Sequence, residues 1–391
     1  MKIVMVAHSY YLRDPRIMRE AQALFEAGHQ VDVLCLRDLN EPQEEVVAGI
    51  RVVRLPVQRR RGGALRYLQE YWSFTFLAAA WLLRRVRKER YDLVHVHNMP
   101  NFLVLAGLVP KAMGAALILD VHDPMPELFG TDTAHSHSRW IVPILRFEEV
   151  ASCRLADRVI TVSEPMRDLL ADRGTPAGRI SVVMNLPDSR LFEDAAPSSS
   201  TDDELHTDGF TLVYAGTVSE RYGLDLAIEG VAALRDEMPD LHLVIAGDGP
   251  QLPGLQELAA RLGVVSRVQF LGSLPLNEVS RLLVRCDVGI SCHRNGPFGE
   301  LAFSNKILEC LEAGLPVISS RTRTVEHYLG DSMLFFFEPG DVLELVEQVR
   351  KVRQEPALVA TKKAEARRKL QELRWDSEKT KLVELVGALA K

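Results

Sequence analysis

Cysteine is scarce in this chain and shows no pairing pattern. Its five cysteines, Cys35, Cys153, Cys286, Cys292 and Cys310, are odd in number, scattered, and free of any Cys-x-x-Cys spacing. That speaks against a disulfide framework or a cysteine-based zinc site and makes a reducing cytosol the expected compartment. Long apolar runs are missing too: no stretch reaches the roughly 18–20 residues that a bilayer span needs. The opening MKIVMVAHSYY has too short an apolar run for a secretory leader and reads as a first buried strand. Positive charge is not in excess. With 47 Lys and Arg against 53 Asp and Glu, the net charge of −6 is the wrong sign for a general nucleic-acid binder. Low-complexity sequence is confined to a short tract of Pro, Ser and acid, Ala195–Asp208. The complete Gly-rich dinucleotide fingerprint is absent, and no tight repeat is visible.

What remains is a globular composition, 47% hydrophobic and 26% charged. At 391 residues the chain exceeds what one core usually serves, so two domains are expected. Ile3–Ala7 is a short apolar strand. Asp14-Pro15 then supplies an N-cap followed by proline in the first helical turn. Ile17, Ala21, Leu24 and Phe25 share a helical face, Gly28 closes the helix, and Val31–Leu36 is the next strand. This β-α-β unit is the start of a parallel sheet. Further strands are expected at Ile50–Leu55, Leu93–His97, Ala116–Val121, Arg158–Val162 and Ile180–Met184. After the low-complexity tract, others follow at Phe210–Ala215, His242–Ala246, Val268–Leu271, Val288–Ser291, Val317–Ser319 and Met333–Phe337. Most are continuous apolar runs, as strands covered on both faces require. The expectation is an α/β protein of two doubly wound, Rossmann-like domains, 1–190 and 209–372. Residues 191–208 would be the linker, and a terminal helix in 373–391 would return to the first domain. A ligand is expected between the domains, at the carboxyl ends of the strands.

One segment departs from this pattern. Gln58–Arg90 holds eight Arg and one Lys against two Glu, about +7 inside an acidic chain. Its centre, Tyr71–Leu83, is rich in aromatic and apolar residues. It reads either as a helix lying on an anionic membrane surface or as an ordinary helix packed on the sheet with a basic outer face.

Several constellations could carry chemistry. His122, beside Asp123, ends the strand Ala116–Val121, where ligand sites gather. It either bonds a sugar hydroxyl or phosphate, with Asp123 orienting the ring, or it is a structural cap. His95 and His97 alternate onto one sheet face, but a third metal ligand at suitable spacing is missing. Gly216 and Thr217, with Arg221 soon after, form either a diphosphate cradle or a plain strand-to-helix turn. Gly247 and Gly249 make a second such turn. The stretch Asn295–Ser320 runs from a Gly/Pro loop through a helix from about Ser304 to Ala313, stopped by Gly314, into a strand. Free N–H groups and the positive helix end there suit an anion. Lys306 and Glu309 lie three apart on one helix side, as a phosphate and ribose pair or as a surface salt bridge.

Taken together, these pieces resemble the retaining GT-B glycosyltransferases of the family 4 type, over nearly the whole chain. The resemblance rests on Asp14-Pro15-Arg16, Gly28-His29, Asp120-Val121-His122-Asp123 with Pro126-Glu127, and Ala156–Ser163. At the junction it rests on Asn185-Leu186-Pro187-Asp188 with Phe192. In the second half it rests on Tyr214-Ala215-Gly216, Ile245–Gly249, Phe270-Leu271-Gly272, Cys286-Asp287-Val288, and Ser304-Asn305-Lys306 through Glu309 to Gly314–Ile318. It implies sugar transfer from a nucleotide diphosphate sugar with retention and without a metal or other cofactor. It implies His122 and Asp123 at the reacting sugar and a glutamate, Glu309, on the ribose. Gly216, Thr217, Arg221, Gly247, Gly249, Glu300, Leu301, Ser304, Asn305 and Lys306 would serve the donor. His8, Ser9, Tyr10, Arg16, His97 and Glu127 would face a glycan or lipid-linked acceptor. The expected place is the cytoplasmic side of the cell membrane, with peripheral attachment through 58–90. Three departures stand out: Leu301 occupies the place of the first glutamate of the family's glutamate pair, with Glu300 adjacent; Thr217 and Tyr222 replace the basic residues of the phosphate turn; and His8-Ser9-Tyr10 stands where a Gly-Gly pair is common. A GT-B sugar-nucleotide epimerase and a non-catalytic nucleotide-sugar binder are the competing readings. The base, uridine or guanosine, stays open.

Overall fold

In the computed structural model, residues 1–59, 64–86, 88–131, 138–187 and 209–389 are described. They form two compact units. One comprises Met1–Asn185 with Asp376–Lys391, the other Leu186–Trp375. The expected linker at 191–208 lies outside the described residues, as do Asp188 and Phe192.

The first unit holds eight strands: β1 Lys2–Ala7, β2 Gln30–Leu36, β3 Glu44–Val47, β4 Ile50–Leu55, β5 Leu93–His97, β6 Ala116–Val121, β7 Arg158–Thr161 and β8 Ile180–Val182. They pair in the order β3-β4-β2-β1-β5-β6-β7-β8. All pairs are parallel except β3 with β4, which is antiparallel. The second unit holds β9 Phe210–Ala215, β10 Leu241–Ala246, β11 Val268–Gly272, β12 Val288–Ser291, β13 Val317–Ser320 and β14 Phe335–Phe337. Its order is β11-β10-β9-β12-β13-β14, parallel throughout. In both sheets the reversal of strand order places a crevice at the carboxyl edge, beside β1/β5 and β9/β12.

The central strands are apolar because helices cover both faces: Ile3, Val4, Met5 and Val6 are wholly buried, as are Leu212, Leu243 and Val288 or nearly so. The first helix, Pro15–Glu26, starts as the sequence predicts, with the Asp14 carboxylate accepting from the Ile17 N–H at 3.3 Å. Phe25, expected on the buried face, is 37% exposed and lies against Gly49, where a Cβ would come within 2.3 Å of its ring. Strand β3 is not foreseen because its side chains alternate between exposed and half-buried along a sheet edge, without an apolar run. Strand β14 starts later than expected because Met333 ends the preceding helix.

The basic-aromatic segment folds as a helix, Ala64–Val86. Phe74, Ala78 and Leu82, spaced four apart, are wholly buried. On the other side Leu68, Trp72, Phe76 and Leu83 form an exposed apolar stripe, with Phe76 at 76% exposure. Trp72 stacks on Phe102 at 4.4 Å between ring centroids. The helix Ser138–Leu155 packs on the same short Asn101–Gly107 segment and carries exposed Ile144 and Phe147. The last helix, Trp375–Gly387, belongs to the first unit over Asp376 onward; there the buried Glu378 carboxylate accepts from the Met184 N–H at 2.8 Å.

The two faces of the Ala64–Val86 helix predict unequal costs. Leu82→Ala is expected to destabilise the chain by about 2–5 kcal/mol, whereas Leu83→Ala next to it stays within about 0.5 kcal/mol. Urea denaturation midpoints of the two variants check the difference.

Candidate active site

In the second unit the carboxyl ends of β9 and β10 meet backbone to backbone. The Gly216 N–H donates to the Ala246 carbonyl at 2.8 Å, and the Val218 N–H donates to the Asp248 carbonyl at 3.0 Å. A Cβ on Gly247 would stand 1.8 Å from the Gly216 carbonyl oxygen, and one on Gly249 2.0 Å from that of Val218. Gly216 and Gly247 also hold positive φ, +146° and +154°. Gly247 is thus required by contact and by conformation, Gly249 by contact and Gly216 by conformation.

Across Gly216 runs the side chain of Lys306, whose Cε lies 2.0 Å from where a Cβ would be. Its ammonium sits over the rings of Tyr222, at 4.1 Å, and Tyr214, at 5.3 Å. Desolvation lowers its pKa to about 8, against the attraction of Glu309. Lys306 stands in the first turn of the helix Asn305–Glu312, behind Ser304 as N-cap; the Ser304 hydroxyl is buried and makes no hydrogen bond. Gly314, at φ +78°, follows the helix end as expected. A cavity of about 310 Å³ opens among Gly216, Thr217, Gly247, Asp248, Ser273 and Glu309. A helix start, an ammonium and an orphan hydroxyl stand near this hollow, a combination that suits an anion, and Glu309 on its wall is a carboxylate able to accept hydrogen bonds.

Other expected donor residues are placed differently. Arg221 lies on the Phe298 ring at 5.2 Å and is not part of the cavity wall. Leu301 is buried, and the neighbouring Glu300 carboxylate accepts from the Arg323 N–H at 2.8 Å, which caps the helix Arg323–Met333. Glu300 is therefore occupied in the fold. His293 is a residue that sequence reasoning passed over. It is buried, edge-on to Tyr222 at 5.1 Å and 3.1 Å from the Ser291 hydroxyl. Burial, with Lys306 and Arg221 nearby, pushes its pKa down to about 3, so it is neutral. Its sequence signal is its place two residues beyond Ser291, the end of β12.

In the first unit the site lies at the ends of β5 and β6. Arg16 donates to both Asp120 oxygens at 2.8 and 2.7 Å and to Glu20 at 3.0 Å, all three residues buried. Burial would raise the pKa of Asp120, but Arg16, His122 and His97 hold it well below the carboxylate range. Glu20 moves the other way, through burial and repulsion from Asp120. Beyond Asp120 the chain turns outward, and the turn is clamped by Asn98. The Asn98 side-chain oxygen accepts from the N–H groups of His122 and Asp123 at 3.1 and 3.3 Å, and its amide donates to the Asp123 carbonyl at 2.7 Å. His122 is thereby presented partly exposed, with Nδ1 3.8 Å from Asp120.

Three residues expected at an acceptor surface are interior instead. Arg16 and His97 belong to the buried cluster, and Glu127 is buried in an ion pair with Arg173. Charged groups this deep must be paired, and pairing takes them off the surface. His8 is also buried, edge-on to Tyr71 and Phe74, with a pKa lowered to about 3 by burial and by Arg59. Ser9 and Tyr10 are half-buried; the Tyr10 hydroxyl accepts from the Arg59 N–H at 3.1 Å. Other elements bring carboxylates to the histidine pair that the sequence shows. Glu20 and Asp120 join His95 and His97, with one donor atom from each inside 4.8 Å of the others.

Comparison with known proteins gives this arrangement a context. The family model described as a glycosyl transferase 4-like domain matches residues 14–185, and that described as glycosyl transferases group 1 matches residues 209–355. The glycogen synthase of Mycobacterium tuberculosis is 28% identical over 366 residues, covering 89% of this chain and 84% of the relative. Among solved structures, the sucrose-phosphate synthase of Thermosynechococcus elongatus superposes with a TM-score of 0.81 at 19% identity, covering 100% of this chain and 99% of that one. The Anabaena protein HepE in complex with UDP-glucose gives 0.73 at 17% identity, covering 99% of each chain.

The lowered pKa of Lys306 carries a signed prediction. Below about pH 8 the residue is charged in both folded and unfolded chains, and stability does not move with it. Between about 8 and its ordinary 10.5 the unfolded chain binds more protons, so stability rises with pH. Denaturation midpoints measured at pH 7, 8, 9 and 10 should show this rise in the native sequence and a smaller one in Lys306→Met.

Proposed function

The chain belongs to the GT-B glycosyltransferases of the family 4 type, and we propose that it moves a sugar, with retention, from a nucleotide diphosphate sugar to a lipid-linked or glycan acceptor. The observation that carries the reading is the cavity lined by Gly216, Thr217 and Glu309, with the Lys306 side chain lying against Gly216 at its edge. It offers an ammonium and a helix start to a diphosphate and a carboxylate to a ribose. The leaving diphosphate gains charge as the glycosidic bond breaks, and fixed donors in a desolvated site stabilise that charge. In this reading Lys306 and the first-turn amides do so without a metal, and an anion beside Lys306 favours its charged form. A uridine diphosphate sugar is the favoured donor, on the likeness in fold to a protein that was solved with UDP-glucose.

His122 is the residue proposed to meet the transferred sugar, with Asp123 beside it in the turn that Asn98 holds. Its partial exposure at the crevice end of β6 suits a hydrogen bond to a sugar hydroxyl. The acceptor is proposed to be lipid-linked because of the apolar stripe of Leu68, Trp72, Phe76 and Leu83, flanked by exposed Arg66 and Arg84. No described helix is long and apolar enough to cross a membrane, so attachment through this stripe would be peripheral.

Binding, turnover, product analysis and vesicle co-sedimentation test the reading. Glu309→Ala is expected to weaken UDP binding at least tenfold in calorimetry, while His122→Ala lowers turnover at least a hundredfold with binding kept. Product analysis by NMR should show the donor's anomeric configuration retained; release of an epimerised nucleotide sugar would overturn it. For the membrane, Trp72→Ser combined with Phe76→Ser should abolish co-sedimentation with anionic vesicles and leave UDP binding intact. Loss of both would make the stripe structural.

A further inference from the structure

We propose that the buried cluster Glu20–His95–His97–Asp120 is a divalent metal site of the zinc class, built into the core of the first unit. Four residues from three elements meet there: Glu20 from the first helix, His95 and His97 from β5, and Asp120 from β6. Each is at most 1% exposed. Both ring nitrogens of His95, both of His97, and Oε2 of Glu20 make no hydrogen bond. Buried polar atoms are rarely left so. His97 Nδ1 at least faces Asp120 Oδ2 at 3.3 Å, whereas His95 has no hydrogen-bond partner on either nitrogen, and one ion would take one nitrogen from each ring. The two rings lie 4.2 Å apart, so the partner that serves one is within reach of the other.

The distances suit a cation. His95 Nε2 stands 3.8 Å from Glu20 Oε2 and 3.9 Å from Asp120 Oδ2, and His97 Nδ1 stands 3.3 Å from Asp120 Oδ2. Zinc bonds of roughly 2.0–2.1 Å to nitrogen and oxygen imply ligand–ligand edges of about 3.3–3.4 Å in a tetrahedron. Of these three edges one is already there and two close by about half an ångström, and the remaining edges lie within 4.8 Å. Two imidazoles and two carboxylates are the donor set that zinc and its first-row neighbours prefer over magnesium or calcium. Charge agrees. The two carboxylates and Arg16 sum to −1, and a dication leaves +1 spread over a hydrogen-bonded network. Arg16 occupies only part of each Asp120 oxygen and fixes the carboxylate, which is the usual work of an outer partner in a metal site.

The ion would be enclosed within the first unit, and the cavity proposed for the donor is lined by residues of the second. It would act on His122 through Asp120, whose Oδ1 is 3.8 Å from His122 Nδ1, as a positioning device. The inference stands apart from the transferase reading, and its readout is the metal itself.

The test uses the purified full chain, stripped with a chelator and dialysed against Zn²⁺. One equivalent of zinc by mass spectrometry and a thermal midpoint raised by zinc are expected, since an ion bound only by the folded state stabilises it. X-ray absorption should find four nitrogen or oxygen donors, about two of them imidazoles by their outer-shell scattering, and no sulfur. In Glu20→Gln and His95→Gln, each checked for native circular dichroism, zinc affinity should fall at least tenfold. If either variant fails to fold, the donor set from the native chain decides. Zinc at background level, affinity unchanged in folded variants, or a donor set containing sulfur would overturn the proposal.

Discussion

The pairing of Arg16 with Asp120 governs the first unit. It joins the first helix to the end of β6 at a depth where neither charge could stand alone. An unpaired charge in such a place costs several kcal/mol, so the helix position, the strand end and the direction of the following turn are fixed together. His122 and Asp123 leave the sheet from that fixed point, and Asn98 holds them by their backbone. The half-buried His122 is thus the last member of an interior network. This explains why residues that look like surface ligands in the sequence, Arg16 and His97, are found beneath it.

The second unit uses contact rather than charge. Gly216 and Gly247 let two strand ends touch, and the space that a side chain would take on Gly216 is filled by the stem of Lys306. The lysine head is held over two tyrosine rings and partly desolvated, which lowers its proton affinity. Glu300 shows the same economy of parts: a carboxylate near the place where a sugar-binding glutamate is usual serves as a helix cap here.

The architecture was legible in the sequence because both sheets are buried on two faces, which turns strands such as Ile3–Ala7 and Leu241–Ala246 into unbroken apolar runs. Helix ends at Asp14 and Gly314 were legible because capping is a local act. Edge strand β3 was not, since half its surface faces water. In the candidate site, Lys306, Glu309 and the glycine turns could be found by spacing along one helix or one loop. Depth could not. Whether Glu127 or His8 is exposed depends on Arg173 and on the aromatic rings of Tyr71 and Phe74, which arrive from distant parts of the chain. The fellowship of Glu20 with His95 and His97 has the same origin. Only its spacing of four from Arg16 hinted that the two act together.

The closing helix has a consequence for how the molecule is made. The N–H of Met184 is buried, and its partner, Glu378, lies 194 residues further on. The first unit is therefore discontinuous, and its last piece is translated after the whole of the second. At a ribosome adding about 5–20 residues per second, the nascent first unit waits on the order of ten seconds or more with that amide unanswered. During that interval the second unit can fold from a continuous stretch of chain, while the first holds together on β1 to β8 and its internal ion pairs. Birth order and completion order are reversed: the unit that begins first is finished last.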